Sequence, residues 1–167
     1  MILRPLPNLV ETDAQVDPTV RLVGEAEVRI GKNVRIDAFT LLVASGPLII
    51  EDHVHIGPHC SLHAGEGITL RRGADLAPGV RIFTWSDDYS TLGLVGSTWG
   101  DEKTNFIRGA VEIGEHAIVG ANSVVLPGVT VAALSAIGAL SLVNKSIDKE
   151  GLIWGGVPIK KIGKRNG

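Results

Sequence analysis

At 167 residues and 17.6 kDa, the chain is long enough for one domain with its own core, so residues 1–167 are predicted to form a single domain. An apolar content of 44%, a charged content of 20% and a net charge of −2 exclude a disordered chain and give no reason to expect nucleic acid as a partner. The single cysteine, Cys60, can form neither an internal disulfide nor a cysteine-based zinc site, which favours the reducing cytoplasm.

No apolar stretch approaches the roughly 18 residues that a membrane-spanning helix needs. Residues 1–7 also lack the continuous apolar segment of a secretion signal. The sequence therefore predicts neither a membrane span nor an exported protein.

The choice of apolar residues narrows the fold class. Valine and isoleucine together number 34, whereas phenylalanine, tryptophan and tyrosine together number seven, and 21 glycines divide the chain at short intervals. Such a composition predicts many short strands around a thin interior of small and medium aliphatic side chains.

Aliphatic residues recur every six positions, most regularly in the second half of the chain. Longer cycles are visible too, because the aliphatic triplets at 28–30, 48–50 and 68–70 lie 20 residues apart, and those at 111–113 and 129–131 lie 18 apart. Three hexads would close one triangular coil, and stacked coils would pair their strands in parallel. About six coils are predicted, beginning near residues 10, 28, 48, 68, 111 and 129.

The hexads that begin at Ile30, Ile36, Val119 and Ile137 resemble the signature of the hexapeptide-repeat acyltransferases. In that signature an aliphatic residue is followed by Gly, Ala, Glu or Asp, two free positions and a small residue. The resemblance implies an all-β fold, a left-handed parallel β-helix, against the usual right-handed crossover rule. It also implies a homotrimer with coenzyme A in a groove between neighbouring subunits.

Some 23 residues interrupt the cycle between the triplets at 68–70 and 111–113, and we predict a long loop at about 85–108. Four of the seven aromatic residues of the chain lie in it, together with the charged Asp101, Glu102 and Lys103. The rings could pack in a local cluster or a subunit interface, or they could stack on a sugar or base. The candidate substrate-binding residues are Trp85, Tyr89 and Trp99.

The segment 155–162 resembles the tail with which sugar and xenobiotic acetyltransferases of this family close the prism. Residues 145–165 contain six Lys or Arg and two Asp or Glu, so this end carries +4. The charge suits an anionic cofactor, although a solvated basic tail is the alternative. By resemblance, the candidate cofactor-binding residues are Ala121, Gly138, Ala139, Lys145, Lys160 and Lys161.

The catalytic base is less well defined. Maltose- and galactoside-type relatives have a histidine just after the strand that ends at Ile82, but this chain has Phe83–Ser90 there, so that role cannot be carried over. The string 86–90, Ser-Asp-Asp-Tyr-Ser, resembles a branch of polysaccharide-associated members. Asp87 and Asp88 are candidate bases, because adjacent carboxylates repel and can raise one pKa, although an exposed Asp-Asp is usually a turn.

The hexad positions of the five histidines predict that all of them point outward. His63 lies one 20-residue period before Phe83 and should therefore stand beside the root of the long loop, which makes it the third candidate base. His116 should share a corner with His53 and Gly73 and could face the loop of a neighbouring subunit, which makes it the fourth. Cys60 takes an inward position and should be a core residue rather than a nucleophile.

The leading interpretation is an acetyl-CoA-dependent acetyltransferase that acts on a hydroxyl or amine of a sugar, nucleotide-linked sugar or polysaccharide precursor, with no bound metal. A zinc lyase of the γ-carbonic-anhydrase kind shares the fold, but the histidine spacing does not reproduce its three-histidine site. A non-catalytic β-helical scaffold is the other alternative, although it would need neither the basic tail nor the aromatic loop. The sequence leaves open the acceptor, the choice of oxygen or nitrogen, and the acyl group.

Overall fold

The computed structural model describes residues 3–4, 13–96, 98–99 and 104–166. These residues form 22 strands and no helix, and so no helix that could cross a membrane. Most strands have two or three residues, as expected for a chain that glycine and turn residues divide at short intervals. In chain order they are β1 (Leu3–Arg4), β2 (Gln15–Val16), β3 (Arg21–Val23), β4 (Val28–Ile30), β5 (Arg35–Ile36), β6 (Leu41–Val43), β7 (Leu48–Ile50), β8 (His55–Ile56), β9 (Ser61–His63), β10 (Ile68–Leu70), β11 (Asp75–Leu76), β12 (Arg81–Phe83), β13 (Trp85–Asp87), β14 (Phe106–Arg108), β15 (Val111–Ile113), β16 (Ile118–Val119), β17 (Val124–Val125), β18 (Thr130–Val131), β19 (Ala136–Ile137), β20 (Leu142–Val143), β21 (Leu152–Gly155) and β22 (Lys160–Lys164).

Three long sheets form the faces of a triangular solenoid. Sheet A has the order β1-β3-β6-β9-β12-β17-β20, sheet B the order β2-β5-β8-β11-β16-β19-β21-β22, and sheet C the order β18-β15-β10-β7-β4. The chain visits sheets C, B and A in turn, so each coil adds one strand to every face. Pairing within the three sheets is parallel except at their ends, where β1 pairs with β3 and β21 with β22 in antiparallel fashion.

The strand register confirms the predicted coil lengths. Leu48 pairs with Val28 and with Ile68, which are each 20 residues away. Ile68 pairs with Val111 across the insertion, and the next coil is 18 residues long. The predicted coil start near residue 10, residues 1–2 and 5–7, and the charged residues 101–103 lie outside the described residues.

The interior is a narrow column of aliphatic side chains, stacked coil upon coil. Each fully buried Leu or Ile contributes about 1.5–3 kcal/mol relative to an exposed one, so the column is the main source of stability. Cys60 is buried among them, which confirms its predicted inward position. The largest buried side chains are Leu22, Ile36, Leu42, Leu48, Ile50, Ile56, Leu62, Ile68, Leu70, Leu76, Ile82 and Ile113.

The corners of the prism are tight turns with one residue in the left-handed region. His53, His59 and His116 have φ values of 60°, 60° and 54°, so they occupy the turn corners where the hexad pattern places them. Gly73 stacks between His53 and His116, and a Cβ at Gly73 would lie 2.3 Å from Nδ1 of His116. Glycine at this corner therefore lets the exposed His116 ring lie against the backbone of the preceding coil.

Candidate active site

The described residues of the inserted segment form a hairpin at the edge between sheets A and C. Its root is the antiparallel pair β13–β14, in which Trp85 faces Arg108 and Asp87 faces Phe106. The Trp85 and Phe106 rings lie 5.1 Å apart, and the Arg108 guanidinium lies over both rings at 5.7 and 5.1 Å. Arg108 also donates to Glu66 at 3.0 Å, which ties the hairpin to the neighbouring coil. The root is thus an ordered aromatic cluster.

Two cavities flank this root. The larger one, of about 520 Å³, lies between the hairpin and the outer face of sheet A. The smaller one, of about 320 Å³, lies on the side of the preceding coil. Phe83, Trp85, Ser86 and Asp87 line both; the larger cavity is completed by Tyr89, Ile107, Val124, Leu126, Pro127 and Asn144, and the smaller one by His63, Gly96 and Phe106.

His63 stands beside the hairpin root, as predicted. Strand pairing places it in register with Phe83, and the two rings stack with centroids 4.9 Å apart. Its Nε2 lies 2.9 Å from Oγ of Ser61. Burial lowers the pKa of the His63 imidazole below its usual range, so the ring is neutral at neutral pH and can accept a proton.

Asp87 and Asp88 have different surroundings although they are adjacent. Asp87 is half-buried, lines both cavities, and accepts a hydrogen bond from the Gly96 amide at 2.9 Å. Asp88 lines neither cavity; its Oδ1 accepts hydrogen bonds from the amide and hydroxyl of Ser90 at 2.9 and 2.6 Å. These bonds lower the pKa of Asp88, so the expected rise from carboxylate repulsion does not occur there. The Asp88 carboxylate stabilises a turn.

The three candidate aromatic residues occupy different places. Trp85 is half-buried in the wall that both cavities share. Tyr89 lines the larger cavity but is 85% exposed, so its ring is free to contact a ligand. Trp99 is 49% exposed and lines neither cavity.

His116 lies away from the cavities, at the corner between β15 and β16. Its side chain is exposed, and its Nε2 lies 3.5 Å from Oε1 of Glu115. Within one subunit the structure therefore does not bring His116 together with His63 or Asp87.

Gly120 and Gly138 follow β16 and β19 in equivalent turns of the solenoid, but they are small for different reasons. A Cβ at Gly120 would lie 2.5 Å from the Ala139 amide nitrogen, so close stacking of the coils alone requires glycine there. Gly138 is different, because the nearest atom to a methyl group added at this position would be the Trp154 carbonyl oxygen at 3.5 Å, an ordinary contact. Ala121 and the exposed Ala139 lie in the same column of turns.

The three candidate lysines lie near the C-terminal strands β21 and β22, where one of them contacts Trp154, a residue that the sequence pattern did not single out. Lys145 Nζ lies 6.0 Å from the Trp154 ring centroid. Lys161 is the strand partner of Trp154, and Lys160 is the partner of Gly155. All three lysines are exposed, so their charges are available at the C-terminal end of the solenoid.

Two chemistries receive no support from the described residues. No group of three or more His, Cys, Asp or Glu side chains within them could hold a metal ion. Burial raises the pKa of the Cys60 thiol to about 11, so it is not a thiolate at neutral pH.

The comparisons with known proteins agree with the fold. Residues 47–83 and 110–139 match the family model described as the hexapeptide repeat of succinyl-transferase. The chain is 32% identical over 158 residues to a dTDP-4-amino-4,6-dideoxy-D-glucose acyltransferase of Escherichia coli, which covers 94% of this chain and 82% of the relative. The chain belongs to the hexapeptide-repeat acyltransferase family.

Two further relatives are named for acyl transfer to different acceptor atoms, nitrogen in one and oxygen in the other. The first is a variant of AntD, an N-acyltransferase from Bacillus cereus, whose structure was solved with dTDP-4-amino-4,6-dideoxyglucose and coenzyme A. It superposes on this chain with a TM-score of 0.80 at 32% identity, and the match covers 92% of this chain and 84% of AntD. WbbJ of Escherichia coli strain K12, named as an O-acetyl transferase of lipopolysaccharide biosynthesis, is 29% identical over 143 residues, or 81% of this chain and 68% of WbbJ.

Proposed function

We propose that the protein transfers an acyl group from a coenzyme A thioester, with acetyl-CoA as the first donor to test, to a nucleotide-linked sugar. The observation that carries this proposal is the pair of cavities at the hairpin root, which share a wall and one of which is lined by His63. Aromatic walls with a few polar groups are typical of a sugar site, and here Trp85 and Tyr89 supply ring faces while Asp87 and Asn144 can bind hydroxyl or amino groups.

The amine of a dTDP-linked 4-amino sugar is the first acceptor to test. The Escherichia coli acyltransferase is named for such a sugar, and the AntD complex contains one. A hydroxyl acceptor is the alternative that the likeness to WbbJ suggests. Both donor and acceptor are metabolites of the cytoplasm, which is the location we propose.

Coenzyme A is proposed to lie along the column of turns between sheets B and A, in a groove shared with the neighbouring subunit, whose hairpin would bring the acceptor to it. Ala121, Gly138 and Ala139 leave the backbone of this column accessible to the extended pantetheine chain, and Gly138 is small without being forced to be so by stacking. Lys145, Lys160 and Lys161 are proposed to bind the phosphates, where their partly screened charges would each contribute modestly.

His63 is proposed as the catalytic base. The acceptor nitrogen or oxygen attacks the thioester carbonyl, its proton passes to the neutral imidazole, and the carbon–sulfur bond breaks as the thiolate of coenzyme A leaves and takes up the proton. Asp87 is proposed to orient the acceptor from the shared wall of the cavities. His116 of a neighbouring subunit is the next candidate base, and Asp88 is the weakest of the four.

A homotrimer of left-handed coils is proposed as the active assembly. The hairpin exposes several apolar side chains close together in sequence, which suits burial against another subunit. Sedimentation equilibrium is expected to give about three times the chain mass at micromolar concentration, and a stable monomer would contradict both the trimer and a groove shared between subunits. The exposed side chains are Tyr89, Leu92, Leu94, Val95, Trp99 and Ile107.

Acyl transfer can be tested directly with the purified protein, acetyl-CoA and dTDP-4-amino-4,6-dideoxyglucose. We expect release of the coenzyme A thiol that depends on the sugar, measured with a thiol reagent that the buried Cys60 does not consume. The matched sugar with a 4-hydroxyl group distinguishes nitrogen from oxygen as the acceptor. Absence of both thiol release and calorimetric binding of coenzyme A would favour a scaffold.

A further inference from the structure

The strand that carries His63 also places a serine hydroxyl against its imidazole. Ser61 and His63 are two residues apart in β9, so both side chains lie on the outer face of sheet A. Ser61 Oγ is 2.9 Å from His63 Nε2. Among the described residues Nδ1 has no hydrogen-bond partner and is not one of the fully buried unpartnered atoms, and His63 lines the smaller cavity.

A neutral imidazole carries one proton, which can sit on either nitrogen. If Nε2 carries it, Nε2–H donates to Ser61 Oγ and the lone pair on Nδ1 is free to accept a proton from the acceptor. If Nδ1 carries it, the Ser61 hydroxyl donates to Nε2, and neither nitrogen has a free lone pair to accept a proton from the acceptor. Only the first arrangement lets His63 act as a base while the hydrogen bond to Ser61 is kept.

We propose that Ser61 is a positioning residue, which holds His63 as the Nε2–H tautomer and leaves Nδ1 as the proton-accepting atom of the site. This role rests on the proposed function, because it matters for turnover only if His63 is the base. The stack on Phe83 fixes the plane of the ring, and the hydrogen bond to Ser61 selects one of the two ring orientations related by a half-turn about the Cβ–Cγ bond.

The charged groups near this pair do not replace the serine. Arg81 on β12 is the strand partner of Ser61, and Asp87 lines the smaller cavity together with His63. The ion pair of Arg108 with Glu66 holds the hairpin root nearby. On the other side, β6 presents Leu41 and Val43, which do not titrate. Loss of the uncharged serine hydroxyl leaves these charges and the burial of the ring unchanged.

The tautomer of His63 can be identified by ¹⁵N NMR of the full chain labelled at histidine, at a pH where the imidazole is neutral. The protonated and unprotonated ring nitrogens differ strongly in chemical shift, and a His63→Asn spectrum assigns the signal. We expect Nε2–H in the wild type and in Ser61→Thr, and a mixture of tautomers in Ser61→Ala. The kcat of Ser61→Ala should fall about tenfold with little change in KM, whereas Ser61→Thr and the exposed control Ser45→Ala should stay near wild type.

A wild-type His63 with its proton on Nδ1 would overturn the proposal, and so would an unchanged Nε2–H tautomer in Ser61→Ala. A wild type that shows Nε2–H, loses it in Ser61→Ala, yet transfers no acyl group would support the positioning by Ser61 and contradict the proposed function instead. The NMR and kinetic readouts therefore separate the two failures.

Discussion

Replacement of His63 by Asn is expected to lower kcat by about 100-fold or more and to leave the affinity for coenzyme A intact. A general base contributes about 10²–10⁴-fold, and the Asn side chain keeps a polar group of similar size but cannot accept the proton. The effect should be largest with a hydroxyl acceptor, because a neutral amine can attack without prior removal of a proton.

Two variants control this measurement. His59→Asn changes an exposed corner histidine with φ of 60°, a conformation that Asn adopts readily, so it should keep wild-type turnover. Asp88→Asn retains a side-chain oxygen that can accept the hydrogen bonds from Ser90, so it should be nearly neutral as well. Asp87→Asn should lose activity. Near-normal turnover in both His63→Asn and Asp87→Asn would move the base to His116 of a neighbouring subunit or show that none is needed.

The dependence of kcat on pH follows from the environment of His63. The base works only when neutral, and burial lowers its pKa, so activity should persist to a pH below the ordinary histidine value of about 6.5 before it falls. The residual activity of His63→Asn should not show this fall at low pH, which is the acidic limb of the pH profile. An unchanged limb in that variant would mean that another group titrates.

Alanine at Gly120 and at Gly138 should have opposite consequences, although both glycines open the same kind of turn. The methyl group at Gly120 would lie 2.5 Å from the Ala139 amide nitrogen, which is backbone and cannot move aside. We expect Gly120→Ala to lower the free energy of unfolding by about 3 kcal/mol and the Tm by about 6–12 °C.

Gly138→Ala should unfold near the wild-type temperature, because its methyl group would have no neighbour closer than 3.5 Å. If the pantetheine chain lies against this turn, the same methyl group should weaken coenzyme A binding. Thermal unfolding and titration calorimetry of the two variants check both expectations. Normal coenzyme A affinity in Gly138→Ala would place the groove elsewhere.

Much of the solenoid could be predicted from the sequence, because its hexads repeat a single local geometry. Once the aliphatic positions are aligned, each other position faces a known direction, and this predicted the corner location of His53, the inward thiol of Cys60 and the place of His63 on the same face as Phe83. Coil lengths of 20 and 18 residues followed from the same alignment.

The hairpin could not be predicted in this way, since it has no repeat to fix side-chain directions. Its sequence did not distinguish Asp87, which lines both cavities, from Asp88, which holds a turn. Trp154 was also missed, because its contact with Lys145 joins two segments of the irregular C-terminal end. The hydrogen bond between Ser61 and His63 could have been predicted from the sequence, since residues two apart in a strand share a face.

The most direct test of the account is a crystal structure of the protein with coenzyme A and dTDP-4-amino-4,6-dideoxyglucose. We predict the sugar at the hairpin root against Trp85, the pantetheine along the turn at Gly138, and the acceptor nitrogen within about 3 Å of His63 Nδ1, directly or through one water. A sugar bound away from the hairpin, with its amine out of reach of His63, would contradict it.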